Sequence, residues 1–587
     1  MSSIADQCSR RLGAAFEAIG LPAELGRTLE SDRPDLAPYQ CNGAMAAARL
    51  AKKAPRAVAE DIVEKLSEDD FFASVEIAGP GFLNLTPVDR IYDARATQLS
   101  HDDHSGAETV EQTRKVMFDF GGPNVAKPMH VGHLRSSVLG DSLQRLLRFR
   151  GDDVTSDVHL GDWGLQMGQL ITEVELVMPD LPYFDADFEG PYPSTSPVTM
   201  DDLQTLYPQA SAACKEDKAR LDSAREATRQ LQGGRPGYVA LWRHFLNVSK
   251  DALKRDFDAL GVQFDLWKGE ADVDGLIADM VTDLKTRGVA VEDQGAMVIH
   301  VNREDEKREL PPFLLLKSDG AALYETTDLA TILDRKAEIG PDLTLYVVDK
   351  RQSDHFEKVF RAAVIAGYVE PGALEHIAYG TMNGADGKPF KTRAGGVLKL
   401  ADLLRMATDK ARARLEEAGL GQEGDEAERE TVARNVALAA IKFADLSHDR
   451  STDYIFDLDR FMSFEGKTGP YLLYAAVRIK SLMRKAGEAG LSAGAVQVGA
   501  PEERELVRAL DAFNRAVEEA YNRRAPNALC DHVFSLAQTF SKFYAACPIL
   551  PEKDEAVKAS RLALAQMTLA QLEIAFSLIG IDAPERM

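Results

Sequence analysis

A short, largely apolar run, Val116-Met117-Phe118-Asp119-Phe120, leads into a Gly/Pro turn and then into a long helical pattern. The turn and helix entry read Gly122-Pro123-Asn124-Val125-Ala126-Lys127-Pro128-Met129-His130-Val131-Gly132-His133-Leu134-Arg135. Apolar residues recur at Val131, Leu134, Val138, Leu139, Leu143, Leu146 and Leu147, and Gly151 closes the pattern, which predicts an amphipathic helix. A buried strand feeding such a turn and helix is the unit of an open α/β sheet. Its turn is where these sheets bind nucleotides, because unpaired backbone N–H groups and the helix dipole face the phosphates. His130, His133 and the ammonium of Lys127 stand at that entry, able to meet negative charge as it builds on a phosphate. Gly132 removes a side chain where a flat base could lie. Stripped of its context, the same histidine pair could as well cap a core helix.

The rest of the chain bounds what this unit belongs to. At 587 residues it should hold three or four domains. Cys8, Cys41, Cys214, Cys530 and Cys547 are far apart and form no C-x-x-C pair, so neither a zinc site nor a disulfide framework is implied. Cys41 has no recognisable histidine partner and reads as structural rather than nucleophilic. The N-terminus lacks the apolar core of a signal peptide, and no run of about eighteen apolar residues appears. A soluble protein of a reducing compartment, the cytoplasm, is expected. The net charge of −24 argues against a general nucleic-acid binder. Residues 467–587, however, carry 15 Lys and Arg against 14 Asp and Glu, with basic clusters at Arg478-Ile479-Lys480, Arg484-Lys485 and Arg523-Arg524. Local patches of that kind can bind RNA within an acidic protein.

Residues 1–105 form a compositional unit, with helical patterns at 9–19 and 44–66 and one strand-like stretch at 75–85. An α/β region follows over 114–400. It contains a second strand-to-loop segment, Asp157-Val158-His159-Leu160-Gly161-Asp162-Trp163-Gly164-Leu165-Gln166, and a polar interruption at about 175–262 that reads as an insertion. Trp242, Phe245, Phe257, Leu260 and Phe264 there read as core. Strands at 298–300, 314–316 and 345–348 are expected to supply the second half of the same sheet. Beyond residue 401 the apolar spacing is helical almost throughout, predicting a connector over 401–465 and a bundle over 466–587. If the bundle is independent, a chain ending near Asp457 should still fold its α/β part.

His-Val-Gly-His resembles the HIGH signature of class I aminoacyl-tRNA synthetases, and the longer string around it resembles the arginyl-tRNA synthetases in particular. Gly161-Asp162-Trp163-Gly164-Leu165-Gln166 is similar to a second motif of that family. Gln40-Cys41-Asn42-Gly43-Ala44-Met45-Ala46 with Ile77-Ala78-Gly79-Pro80-Gly81-Phe82 resembles its N-terminal appended domain. Tyr471-Leu472-Leu473-Tyr474 and Phe543-Tyr544-Ala545-Ala546 resemble its anticodon-binding domain.

The resemblance implies a Rossmann-type α/β catalytic domain, an α+β N-terminal domain and an all-α C-terminal bundle. It implies ATP-dependent ligation of L-arginine to tRNA(Arg) through an arginyl-adenylate, with attack by the 2′-hydroxyl and activation only when tRNA is bound. ATP with Mg²⁺ is the implied substrate complex, no structural zinc is expected, and the protein should be a monomer without a membrane partner. His130, His133 and Lys127 are implied to stabilise the reacting phosphate, with His130, Gly132, His133, Gly380, Met382 and Lys388 at ATP. Asn124, Glu270, Tyr324, Asp328 and Gln352 match the arginine-binding pattern, and a guanidinium fork suits carboxylates in a partly desolvated pocket. The family's KMSKS loop corresponds to the stretch after Tyr379-Gly380-Thr381-Met382, which departs from the pattern. Alignment on its Thr-Arg end puts Thr392 at the second lysine, and alignment on Lys388 puts Lys391 there. Lys127 is therefore expected to act at the α-phosphate and Lys391 or Arg393 at the pyrophosphate. Two rival readings are another class I synthetase or nucleotidylyl transferase and a non-catalytic tRNA-binding paralogue. Intact His130, Gly132 and His133 oppose the second.

Overall fold

The computed structural model describes residues 2–303, 306, 308–384, 386–388, 398–421 and 424–587. The helix Ile4–Ala18 opens on a reciprocal cap in which the Ser3 hydroxyl accepts from the Asp6 N–H and the Asp6 carboxylate accepts from the Ser3 N–H. Its buried face, Ile4, Cys8, Leu12 and Phe16, packs over an antiparallel sheet of β1 (Thr28–Glu30), β2 (Tyr39–Cys41), β3 (Phe72–Ala78) and β4 (Phe82–Pro87) in the order β1-β2-β4-β3. The single strand expected over 75–85 is a hairpin, turned by Gly79 (φ 52°) and Gly81 (φ 149°) around Pro80. The helical pattern over 44–66 is likewise two helices, Gly43–Ala51 and Pro55–Lys65. Left-handed Lys52 ends the first and Pro55 starts the second.

A four-stranded parallel sheet forms the centre of the molecule. Its strands β5 (Lys115–Phe120), β6 (Asp153–Asp157), β10 (Leu343–Val347) and β11 (Leu374–His376) lie in the order β11-β10-β5-β6. Leu266 and Gly269 add bridges beside β6 and extend the sheet on that side. From β5 the chain passes through the helix Val131–Phe149 to β6. From β10 it passes through Ser353–Ile365 to β11, in the opposite direction. The crevice between the ends of β5 and β10 is thus the topological switch point, where such sheets hold ligands.

Two of the strands expected in this sheet do not join it. β8 (Ala296–Ile299) and β9 (Phe313–Leu316) pair antiparallel with each other and with β7 (Val291–Asp293) in a separate sheet. Parallel neighbours need a crossover, usually a helix. β7 and β8 are instead joined by Gln294 (φ 51°) and Gly295 (φ 81°), the two left-handed positions of a tight hairpin. The interruption after Leu165–Val177 is three helices, Met200–Glu216, Lys218–Gln232 and Pro236–Ala259. Phe245, Phe257 and Leu260 are buried there, while Trp242 and Phe264 are half-buried against the core.

After β12 (Met382–Asn383) and the short β13 (Tyr454–Ile455), which pair in parallel, helices dominate to the C-terminus. The pattern at 503–519 is broken at Ala512 into Pro501–Asp511 and Phe513–Arg523. This helical part is not independent of the sheet. Arg135 forms a buried ion pair with Asp445 at 2.9 Å, the Ser142 hydroxyl donates to the Leu578 carbonyl at 2.9 Å, and buried Lys442 donates to the Gly580 carbonyl at 2.7 Å. Truncation near Asp457 would uncover the helix Val131–Phe149, so the conditional expectation of a separately folding α/β part is withdrawn. No helix among the described residues is long and apolar enough to cross a membrane.

The N-terminal domain is fastened to the bundle at Asp511, which accepts from the Ile4 N–H at 2.7 Å and pairs with Arg95 at 2.6 Å, both side chains almost wholly buried. Removing one partner of a buried charge pair costs about 3–5 kcal/mol. Asp511→Ala should lower the urea midpoint accordingly and admit early proteolysis at the N-terminal domain. An unchanged midpoint and cleavage pattern would contradict this anchoring.

Candidate active site

The turn after β5 is left-handed at Gly121 (φ 89°), Gly122 (φ 45°) and Ala126 (φ 64°). A residue with a Cβ at positive φ costs on the order of 1 kcal/mol or more and persists only where its surroundings fix it. Ala126 is buried, and its N–H donates to the buried Ser249 hydroxyl at 2.9 Å on the insertion helix Pro236–Ala259. Farther along, the Val131 N–H donates to the Leu398 carbonyl and the Leu400 N–H to the Met129 carbonyl, each at 3.0 Å. Ser136, one turn into the helix, spans the switch point: its hydroxyl accepts from the Gly121 N–H at 2.9 Å and donates to the Val347 carbonyl at 2.7 Å.

These anchors set the two imidazoles. His130 caps the helix, and its Nδ1 accepts from the Gly132 N–H at 3.0 Å. His133 Nδ1 accepts from the His130 N–H at 3.1 Å, and the rings lie 4.0 Å apart. A ring nitrogen that accepts from a backbone N–H carries no proton, so each neutral ring bears its hydrogen on Nε2. Burial pushes His133 down to about 3, with the charges of His130 and Lys127 adding to it. His130 is lowered by burial and then by Lys127. Both are therefore neutral Nε2–H donors at physiological pH. Gly132 has a more local reason than room for a base: a Cβ there would stand 2.7 Å from His130 Cε1.

Around this pair the structure gathers several expected residues. The Lys127 ammonium lies 4.6 Å from the centre of the Tyr207 ring on the insertion helix Met200–Glu216. Asn124 bridges to Gly161, and a Cβ at Gly161 would meet its Oδ1 at 2.5 Å. Gly380 is held by Arg135, which donates to its carbonyl at 2.8 Å, and it packs against Thr452 and Asp453 where no side chain would fit. Met382 is buried beside it in β12. Lys388 stands apart in an exposed turn with Asp386, its N–H donating to that carboxylate at 3.1 Å. Lys391, Thr392 and Arg393 lie outside the described residues.

The arginine set surrounds the start of the helix Tyr324–Glu338. Asp328 is half-buried and its Oδ2 lies 2.6 Å from His355 Nε2. Exposed Tyr324 lays its ring 4.8 Å from the same imidazole. Gln352 ends an exposed turn, Lys350–Gln352, directly before the helix that carries His355. Glu270 opens the helix Glu270–Thr286. Burial raises its pKa, and the charge of Asp328 adds to the rise, which brings the two carboxylates into one electrostatic field. Beside it Asp162 is pushed up to about 7 by burial, against the Ala271 N–H bond at 3.0 Å and with Glu270 and Asp272 adding to the rise. Cys41 is buried, and burial pushes its thiol up to about 11, so it is no nucleophile.

The two halves share a buried ionic core. Arg335, on the helix of Tyr324 and Asp328, lies 2.8 Å from Asp119 at the end of β5 and 3.0 Å from Asp157 at the end of β6. Sequence reasoning passed over Arg335, Ser249, Tyr207 and His355. All four act across stretches of chain; His355 is visible on the helix after Gln352, but its contact with Asp328, 27 residues away, is not.

A family model described as tRNA synthetases class I (R), catalytic domain, matches residues 96–458. The DALR anticodon binding domain matches 472–587 and the arginyl tRNA synthetase N terminal domain matches 4–86. Arginine–tRNA ligases of Maricaulis maris and Hyphomonas neptunium are 61% and 55% identical to this chain, each over 100% of both proteins. Among solved structures, arginyl-tRNA synthetase of Thermus thermophilus superposes with a TM-score of 0.78 at 24% identity. That of Plasmodium falciparum does so with 0.79 at 22%, each over 100% of both chains, which is a likeness of fold.

The histidine geometry is open to direct measurement. In a ¹⁵N-histidine-labelled sample, His133 should remain a neutral Nε2–H tautomer from pH 8 to about pH 5, because its burial depresses the pKa to about 3. Titration near 6.5, the ordinary value, would show that the ring is not desolvated as described.

Proposed function

The chain belongs to the arginyl-tRNA synthetases, and from that premise we propose how the residues of its crevice divide the work of joining L-arginine to tRNA(Arg) at the expense of ATP. The observation that supports this division most is the pair of tautomer-fixed imidazoles beside Lys127, set apart from a second group of carboxylates at Glu270 and Asp328. The first group donates to a phosphate and the second accepts from a guanidinium.

In the first step an oxygen of the arginine carboxylate attacks the α-phosphorus of ATP, supplied as its Mg²⁺ complex, and pyrophosphate leaves. Negative charge builds on the α-phosphate oxygens. His130 and His133 meet it with Nε2–H, and Lys127 with its ammonium. Neutral imidazoles serve as donors here without having to gain or lose a proton. Asn124 takes the amino-acid end of arginine, Gly380, Met382 and Lys388 line the nucleotide, and Lys391 or Arg393 neutralises the pyrophosphate. In the second step the 2′-hydroxyl of the terminal adenosine attacks the arginyl carbonyl and AMP leaves. No protein nucleophile is required, so catalysis consists of positioning and charge stabilisation. Residues 1–105 and 466–587 hold the tRNA, and the enzyme works in the cytoplasm as a monomer.

Pyrophosphate exchange into ATP should require arginine together with tRNA(Arg), and none of the other amino acids should replace arginine. His133→Ala and Lys127→Ala should each raise the adenylation barrier by about 2–4 kcal/mol with little change in ATP binding. Single-turnover adenylation at the unaltered rate in either variant would show that the reacting phosphate lies elsewhere.

At the other end, Tyr324, Asp328, Gln352 and Glu270 hold the guanidinium. Lysine lacks the planar fork and citrulline lacks the charge, so either would leave unpaired the polar groups that a bound guanidinium covers, a mismatch that allows about 10⁴-fold rejection. Asp328→Asn should reduce arginine kcat/KM by about 10²–10³ and narrow the discrimination against citrulline. A change of less than about threefold in arginine kcat/KM would remove Asp328 from the pocket.

A further inference from the structure

We propose that His355 is the positioning residue of the arginine pocket: it orients the Asp328 carboxylate by hydrogen bonding one oxygen and leaves the other for the substrate. The inference rests on the pocket assignment above and extends it to a residue outside that set. Asp328 sits one turn into its helix with its carboxylate partly open to solvent. His355 comes from another helix, Ser353–Ile365, and is almost wholly buried. Its Nε2 stands 2.6 Å from Oδ2 of Asp328, within reach of a charge-assisted hydrogen bond. A carboxylate only accepts, so the proton of this contact is on Nε2.

The imidazole is itself held. Tyr324 lies against it at 4.8 Å, Phe356 at 5.3 Å edge-on, and its buried Nδ1 has no hydrogen-bond partner, the nearest acid being Glu325 at 4.0 Å. Glu325 is occupied by Lys358 from the same helix as His355. Among the described residues the hydrogen bond of the ring is with Asp328. Two of the residues assigned to the guanidinium touch His355, and a third, Gln352, precedes it by three positions. With Oδ2 taken, Oδ1 is the edge that Asp328 can present to a guanidinium. The fixed carboxylate then offers one acceptor of defined direction to the guanidinium.

The test compares arginine KM and kcat for five variants of the full-length enzyme in aminoacylation. His355→Phe keeps a ring against Tyr324 but no donor, and His355→Asn has a donor too short to reach. Both should raise the arginine KM about 10- to 100-fold, the loss of one hydrogen bond to a charged group. Their kcat should change by less than about threefold, as for a loss of uniform binding. His355→Gln places its amide where Nε2 stood and should restore KM to within about fivefold. Adding His355→Asn to Asp328→Asn should change KM no further, since both remove one contact.

Unaltered KM in the Phe and Asn variants would overturn the proposal. So would a Gln variant as poor as Phe, or a loss confined to kcat. Should the Phe variant not fold, the Asn and Gln pair, differing by one methylene, carries the comparison. If Asp328→Asn itself leaves arginine KM unchanged, the pocket assignment fails rather than the role of His355 within it.

Discussion

Arg335 holds the crevice together. It lies fully buried between Asp119 and Asp157, at the ends of two adjacent parallel strands, and its own helix begins with the residues assigned to arginine. Burial opposes its charge, but Asp119 and Asp157 outweigh that and raise its pKa further. His159 completes the group at 3.8 Å from Asp157. Burial works against its protonation, yet Asp157 and Asp119 raise it to about 9. Two acids and two bases then balance at neutral pH, which a buried cluster requires, since an unpaired charge in that interior costs several kcal/mol. The cost of assembling such a cluster makes it a poor source of stability. Its effect is geometric: the ends of the two strands and the last turn of the helix Tyr324–Glu338 cannot shift independently.

Everything else in the site is pressed onto this frame from outside. The insertion supplies Ser249 and Tyr207, which fix the strained Ala126 and the Lys127 ammonium. The helical region supplies Asp445, which binds Arg135 and through it Gly380. A reaction with no covalent protein intermediate depends on such placement, because donors aimed in advance need no reorganisation as charge develops. That is the physical reason why helices far from the chemistry in sequence pack against the entry of one helix.

How much of this the sequence discloses depends on range. The strand at 116–120, the turn and the helix to Phe149 are legible because apolar spacing and Gly/Pro turns act locally, and the resemblance of that stretch to known synthetases adds the fold class. The bundle is legible for the same reason. β8 and β9 were misplaced because an apolar run shows that a strand is buried but not which sheet it joins; the two-residue turn at Gln294-Gly295 decides that. His130 and His133 are evident as residues, whereas their tautomers come from backbone donors that only the cap geometry reveals. Asp328 is singled out only by the resemblance of its pairing with Tyr324 to the arginyl-tRNA synthetase pattern. Its partner His355 and the clamp on Arg335 arise from contacts between separate helices and strands, which no local pattern encodes.

The proposed function requires one crevice to bind the adenylate at His130–Gly132–His133 and the guanidinium at Asp328. A crystal structure with a non-hydrolysable arginyl-adenylate analogue tests it most directly. The phosphate mimic is expected within hydrogen-bond reach of the two Nε2 atoms, and the guanidinium on the free oxygen of Asp328 with Tyr324 and Gln352 beside it. An analogue whose guanidinium pointed away from Asp328, or whose phosphate mimic lay beyond reach of both histidines, would contradict it.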